Sequence, residues 1–151
     1  MHQETFTHDW LDSDQIARIR RGFSAAASDA DCFTAAFYER LFELAPTLRQ
    51  LFPADLSSQR DKLKHMLAVL VADLDRPGAL APALAKLGDR HRSYGVVRAD
   101  FMVVGKALID TLGSHLEEQF SPADRSAWAE LYTRITAIMK KGTAQGALHP
   151  A

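Results

Sequence analysis

The sequence predicts an all-α domain of about seven helices. Three observations carry this. Apolar residues recur at helical spacing along most of the chain, most fully at Leu63, Met66, Leu67, Leu70, Val71 and Leu74. Strand signals are weak, with no convincing run of period two and no Asn-Gly or Asp-Gly hairpin turn. Helix-starting and helix-stopping residues punctuate the pattern at intervals that leave only short links.

The elements follow in order. Residues 1–12 read as a polar N-terminal extension, and 13–141 as the domain. Ser13-Asp14 can cap a helix containing Ile16, Ile19 and Phe23. Ser28-Asp29-Ala30-Asp31 starts a second helix, with Phe33, Phe37, Tyr38 and Leu41 inward. Pro46 can open a short third helix through Leu48 and Leu51, stopped by Pro53. Ser57-Ser58 begins the long fourth helix, and Pro77-Gly78 breaks it. A fifth helix runs to about Gly95. A sixth runs from about Arg98, with Phe101, Val104, Leu108 and Leu112 on one stripe. Ser121-Pro122-Ala123-Asp124 is a strong start: a serine cap, proline in the first helical position and an acid in the first turn. The last helix then presents Trp128, Leu131, Tyr132, Ile135, Ile138 and Met139, and residues 142–151 read as a flexible tail.

Bulk properties narrow the function. A chain of 151 residues, 47% hydrophobic and 25% charged, is ordinary for one globular domain and long enough to enclose a cofactor. A formal net charge of -1 gives no reason to expect nucleic acid or an anionic membrane as partner. The single cysteine, Cys32, cannot form an internal disulfide, so nothing points to an oxidising compartment. The N-terminus lacks the basic and apolar regions of a signal peptide, and no apolar run is long enough to span a bilayer. The expectation is a cytoplasmic protein, monomeric or weakly dimeric.

The chemistry centres on His91. It closes an apolar helical stripe, Leu80-Leu84-Leu87-His91, and Ser93-Tyr94-Gly95-Val96 then reads as a helix stop. One histidine on such a face can take the fifth position of a haem iron. Gln59 and Leu63 lie about one turn apart on one face of an upstream helix, with Tyr38 and Phe52 further upstream. A tyrosine and a glutamine from two other helices can meet a gas molecule on the sixth position. Taken singly, each residue has a plainer reading. Gln59 can be solvated or capping in a first helical turn, and Tyr38 a core aromatic with its hydroxyl satisfied locally. Phe52 can be a core anchor, and a lone histidine is more often structural than a ligand. Their joint occurrence is what carries weight.

Phe37-Tyr38-Glu39-Arg40-Leu41-Phe42, followed by Ala45-Pro46-Thr47-Leu48-Arg49-Gln50-Leu51-Phe52, resembles the second-to-third-helix segment of bacterial globins. Gln59-Arg60-Asp61-Lys62-Leu63 and Leu87-Gly88-Asp89-Arg90-His91-Arg92-Ser93-Tyr94-Gly95-Val96-Val97 look like their distal and proximal segments. The similarity covers about residues 13 to 141 and is nearest to single-domain bacterial haemoglobins of the flavohaemoglobin and neuroglobin-like branch. It implies a globin fold around haem b, with His91 as the proximal iron ligand and Phe52 on the haem face. Tyr38 and Gln59 become the distal polar pair and Leu63 the apolar wall beside the gas. Leu87, Tyr94, Val96, Phe101 and Val104 line the cofactor, and Lys62 pairs with a propionate or is simply solvated. The ligands implied are O2, CO and NO. O2 gains partial negative charge when bound, so a phenol donor strengthens its hold by about 1.5–3 kcal/mol.

Other histidines are excluded as sixth ligands. His65 points roughly 120° away from Gln59 and is expected in solvent. His115 lies about 20 Å along its helix from Phe101. The pattern also departs from flavohaemoglobins, which carry a tyrosine ten residues after the proximal histidine, where this chain has Phe101. The ring N–H of His91 is therefore expected on a backbone carbonyl near Leu87. No flavin- and nicotinamide-binding domain follows in this chain. Reversible O2 binding is the first functional expectation. NO dioxygenation to nitrate with an external reductase is the second, and a gas sensor the third. A haem-free globin fold comes last, because it gives no reason for His91, Tyr38 and Gln59 to stand at these separations.

Overall fold

A computed structural model describes the backbone of residues 10–93 and 98–148, and the side chains of 10–86 and 101–139. Six α-helices follow one another: α1 Ser13–Ala27, α2 Ala30–Leu44, α3 Ser57–Ala72, α4 Pro77–Ser93, α5 Arg98–Leu116 and α6 Pro122–Leu148. Two 3-10 turns, Pro46–Leu51 and Glu117–Gln119, complete the order, and no strand occurs among the described residues. The fold is all-α, as predicted. The expected short third helix is the first 3-10 turn: Pro46 opens it, and Phe52 then takes an extended backbone.

The helix ends show why these segments fold. At α1 the cap is Asp12, not Ser13-Asp14. The Gln15 N–H donates to Asp12 Oδ1 at 2.8 Å, and the Asp12 N–H donates to Gln15 Oε1 at 2.9 Å. That reciprocal pair needs an amide three residues on, which sets the register one residue earlier. At α6 the expected serine cap is present: the Asp124 N–H donates to Ser121 Oγ at 3.1 Å and Asp124 Oδ2 accepts from the Ser121 N–H at 2.9 Å. This last helix continues past Gly142 to Leu148. Pro77 opens α4 as its first residue; α3 has already ended at Ala72.

The far end of α3 is held from outside. Arg20 donates to the carbonyls of Val71 and Ala72, each at 3.3 Å, and the Trp10 indole N–H donates to the Leu74 carbonyl at 2.6 Å. The carbonyls of Val71 and Ala72 are among those a helix terminus leaves without intrahelical donors, and Leu74 follows just past the end. Leu11 beside Trp10 is buried, so the core reaches back before Ser13.

Three long packings build the frame: α2 along α5, α1 along α6, and α4 along α6. Gly22 lets α1 approach α6, since a Cβ there would lie 2.8 Å from Trp128 Nε1. The core runs through Ile19, Phe33, Phe37, Leu41, Leu74, Leu112, Trp128 and Leu131, and it includes the expected inward face of α2 in full. The successive helices α3 and α4 part company: α3 packs on α1 and α2, whereas α4 packs on α6. The helix carrying Gln59 and Leu63 and the helix carrying His91 thus pack on different partners. No helix among the described residues is long and apolar enough to cross a membrane.

Candidate functional site

The site is best built from α2 outward. Tyr38 lies on the buried face of α2 at 8% exposure. Its ring meets Phe37 edge-on at 5.0 Å, Phe52 edge-on at 5.7 Å and Phe42 at 6.1 Å, and Phe42 meets Phe52 at 5.5 Å. Edge-to-face aromatic pairs at such separations are favourable beyond their buried area. The extended residue after the 3-10 turn brings Phe52 back over α2, because Pro53 disfavours a helical backbone at the residue before it.

Tyr38 and Gln59 come together through the main chain of Gln59. The Tyr38 hydroxyl donates to the main-chain carbonyl of Gln59 at 3.4 Å, not to the side-chain amide. Burial pushes the phenol pKa up to about 12, with the nearby positive charge of Arg60 pulling weakly the other way. Tyr38 is therefore a neutral O–H donor at any physiological pH, loosely held by a long bond.

Leu63 packs half-buried against the core beside this cluster. Lys62 is exposed, and His65 is exposed as expected. His115 is turned into the other end of α5, edge-on to Phe33 at 5.6 Å. Across the domain, Phe101 is buried and Val104 half-buried on α5. The Tyr132 hydroxyl from α6 donates to the Phe101 carbonyl. The side chains of His91 and Leu87, and residues Tyr94 and Val96, lie outside the described residues.

The globin family profile matches residues 35–139, from the middle of α2 to α6. The chain belongs to the globin family. This globin is also 30% identical, over 145 residues, to Neuroglobin-1 of Oncorhynchus mykiss, covering 87% of its own chain and 91% of that protein. Membership brings haem b as cofactor and a small gas as ligand.

The residues present fit that group. A buried phenol has only one long bond to occupy it. Against it Phe42 and Phe52 are apolar yet only partly covered by protein atoms, as are Leu63 on α3 and Val104 on α5. Apolar rings left half-covered in the interior of a fold are what a flat, greasy macrocycle would cover.

A recess among the described residues lies elsewhere. It holds about 580 Å³ between α2, α5 and the start of α6, walled by Glu39, Arg40, Glu43, Asp110, Glu117 and Arg125. None of the predicted site residues lines it, and its charged walls do not suit haem. Two contributors escaped the sequence reading. Arg60 bears on Tyr38 by charge, and Phe42 completes the aromatic group; the helical spacing of Tyr38 and Phe42, four apart, is the signal that could have found the second.

Proposed function

We propose that this globin binds O2 reversibly at a haem b iron ligated by His91, with Tyr38 as the hydrogen-bond donor on the open side. The haem supplies an iron that coordinates the gas, and the protein supplies everything that sets how long it stays. One observation supports the reading above others: Tyr38 is buried, neutral up to about pH 12, and loosely engaged by the Gln59 carbonyl at 3.4 Å. Such a hydroxyl can turn from that carbonyl to a ligand at small cost and strengthen a partly negative ligand's hold. Leu63 and Phe52 keep water from the same space. The Gln59 side chain stands at the helix start, where it can orient the phenol or donate directly. Phe52 and Val104 cover the macrocycle, and Leu87, Tyr94, Val96 and Phe101 complete the pocket around His91. Lys62, exposed on the same helix as Gln59, meets a propionate.

The apolar ring of Phe101, where flavohaemoglobins have a phenol, favours binding over catalysis. Nitric oxide dioxygenation at the same site requires a reductase to return the iron to the ferrous state, and rapid multi-turnover NO consumption with one would promote it to the main activity.

The deciding experiment is the visible spectrum of purified protein: ferric, reduced with dithionite, then exposed to O2 and to CO. A Soret band that moves through a five-coordinate reduced form to distinct O2 and CO forms supports the whole assignment. A six-coordinate reduced form means that a second protein side chain occupies the gas site. No Soret band after haemin addition removes the ligand role of His91.

A further inference from the structure

Arg49 stands at the end of the first 3-10 turn and is half-buried. Its guanidinium donates to three successive carbonyls: Phe52 at 3.2 Å, Pro53 at 2.9 Å and Ala54 at 3.0 Å. Its own carbonyl accepts from the Phe52 N–H at 3.2 Å. The same guanidinium lies over the Phe42 ring, 5.2 Å from its centre. One residue thus grips residue 52 from both ends: its main-chain carbonyl takes the Phe52 N–H, its guanidinium takes the Phe52 carbonyl and rests on the ring that packs against Phe52. The segment so held has no secondary structure of its own between the 3-10 turn and α3. Pro53 disfavours helix at the residue before it and has no N–H to donate, so the carbonyls of this segment are left to donors outside secondary structure.

We propose that Arg49 is a positioning residue for the haem pocket: its fan over the 52–54 carbonyls and its stacking on Phe42 fix Phe52 against Tyr38 and so set how firmly the cofactor is held. The inference rests on the reading of Phe52 as a haem-face residue. It needs a planar, multiply donating cation, because three carbonyls pointing to one place are matched by a forked guanidinium and not by a single ammonium. Lysine at this position therefore fails to replace arginine, although it keeps the charge.

The test compares Arg49→Lys, Arg49→Met and Phe52→Ala in the haem-loaded full chain. Two quantities are read: hydrogen exchange of the amides in 52–57 by mass spectrometry, and the rate of haem transfer to an excess of an apo-globin acceptor. Both Arg49 variants should raise exchange in that segment and speed haem loss by about fivefold to tenfold, the weight of one net hydrogen bond. Adding Arg49→Met to Phe52→Ala should produce little further loss, since both act through the same ring. Faster exchange with unchanged haem loss overturns the inference, as does full rescue of both readouts by lysine. If Phe52→Ala itself leaves haem loss unchanged, the reading of Phe52 falls and the role of Arg49 falls with it. A slow rate in both Arg49 variants beside a fast one in Phe52→Ala removes Arg49 alone.

Discussion

The Tyr38 hydroxyl donates to the main-chain carbonyl of Gln59 across 3.4 Å, linking the buried face of α2 to the first turn of α3. A bond of that length contributes little to folding, and it leaves the phenol available for another acceptor. Tyr38→Phe is therefore expected to leave stability within about 1 kcal/mol of the parent. O2 dissociation should quicken by about tenfold or more, the effect of losing one hydrogen bond to a partly charged ligand. Stopped-flow displacement of O2 by CO measures it, and an unchanged rate means the hydroxyl stays on the Gln59 carbonyl.

His91→Ala removes the proposed iron ligand. The purified variant should lack stable haem, with a Soret band that is weak or lost on gel filtration, while far-UV circular dichroism retains most of the helix signal. Acid should mimic the substitution, because only a neutral imidazole ligates iron and protons compete for it. Normal haem retention in His91→Ala sinks the ligation proposal.

Gly105 lies directly beneath the Tyr132 ring. A Cβ added there would come within 2.6 Å of Tyr132 Cδ2 and nearer still to Cε2. The ring cannot simply swing away without losing its hydroxyl's bond to the Phe101 carbonyl. Gly105→Ala should thus destabilise the fold by about 1–3 kcal/mol, as overpacking does. Urea denaturation reads the change. In a Tyr132→Leu background the added cost of Gly105→Ala should shrink, since the collision partner is gone; equal costs in the two backgrounds would place the strain elsewhere.

Arg40 clasps Asp110 with two N–H groups at 3.0 and 2.9 Å, joining α2 to α5, and Lys106 adds a third donor at 3.2 Å. Burial alone would raise the Asp110 pKa and is the largest single influence. The bonds from Arg40 and Lys106 together outweigh it and hold the carboxyl below its ordinary range. Asp124 follows the same balance, with Ser121 and Arg18 prevailing over burial. As pH falls, the unfolded chain takes up protons on these groups first. Their stabilisation is full above about pH 4 and declines below it. The urea midpoint should therefore hold steady from neutral pH to about pH 5 and drop under pH 4, and Asp110→Asn should flatten part of that drop. A slope unchanged by Asp110→Asn would assign acid sensitivity to other carboxylates.

Much of this was legible in the residues because it depends on near neighbours. The inward face of α2 at Phe33, Phe37, Tyr38 and Leu41 follows from helical spacing, and the start of α6 follows from a serine, a proline and an acid in sequence. The same local rules erred where two options were close. Asp12 and Ser13 can both cap, and Gln15 decided between them. Gly142 costs a helix only about 1 kcal/mol, so α6 runs through it.

The sequence by itself determined the helical class, the outline of the helices and the kind of chemistry: a histidine, a tyrosine and a glutamine at separations that suit a globin. Only the tertiary structure decided which atoms meet. Tyr38 finds the main chain of Gln59, and not its amide, because the distance between α2 and α3 is set by how the helices pack. Arg49 finds three carbonyls and a ring for the same reason. Periodicity tells which face of a helix turns inward; it carries no information on how far away the opposing backbone will lie, and hydrogen bonds are decided by that distance.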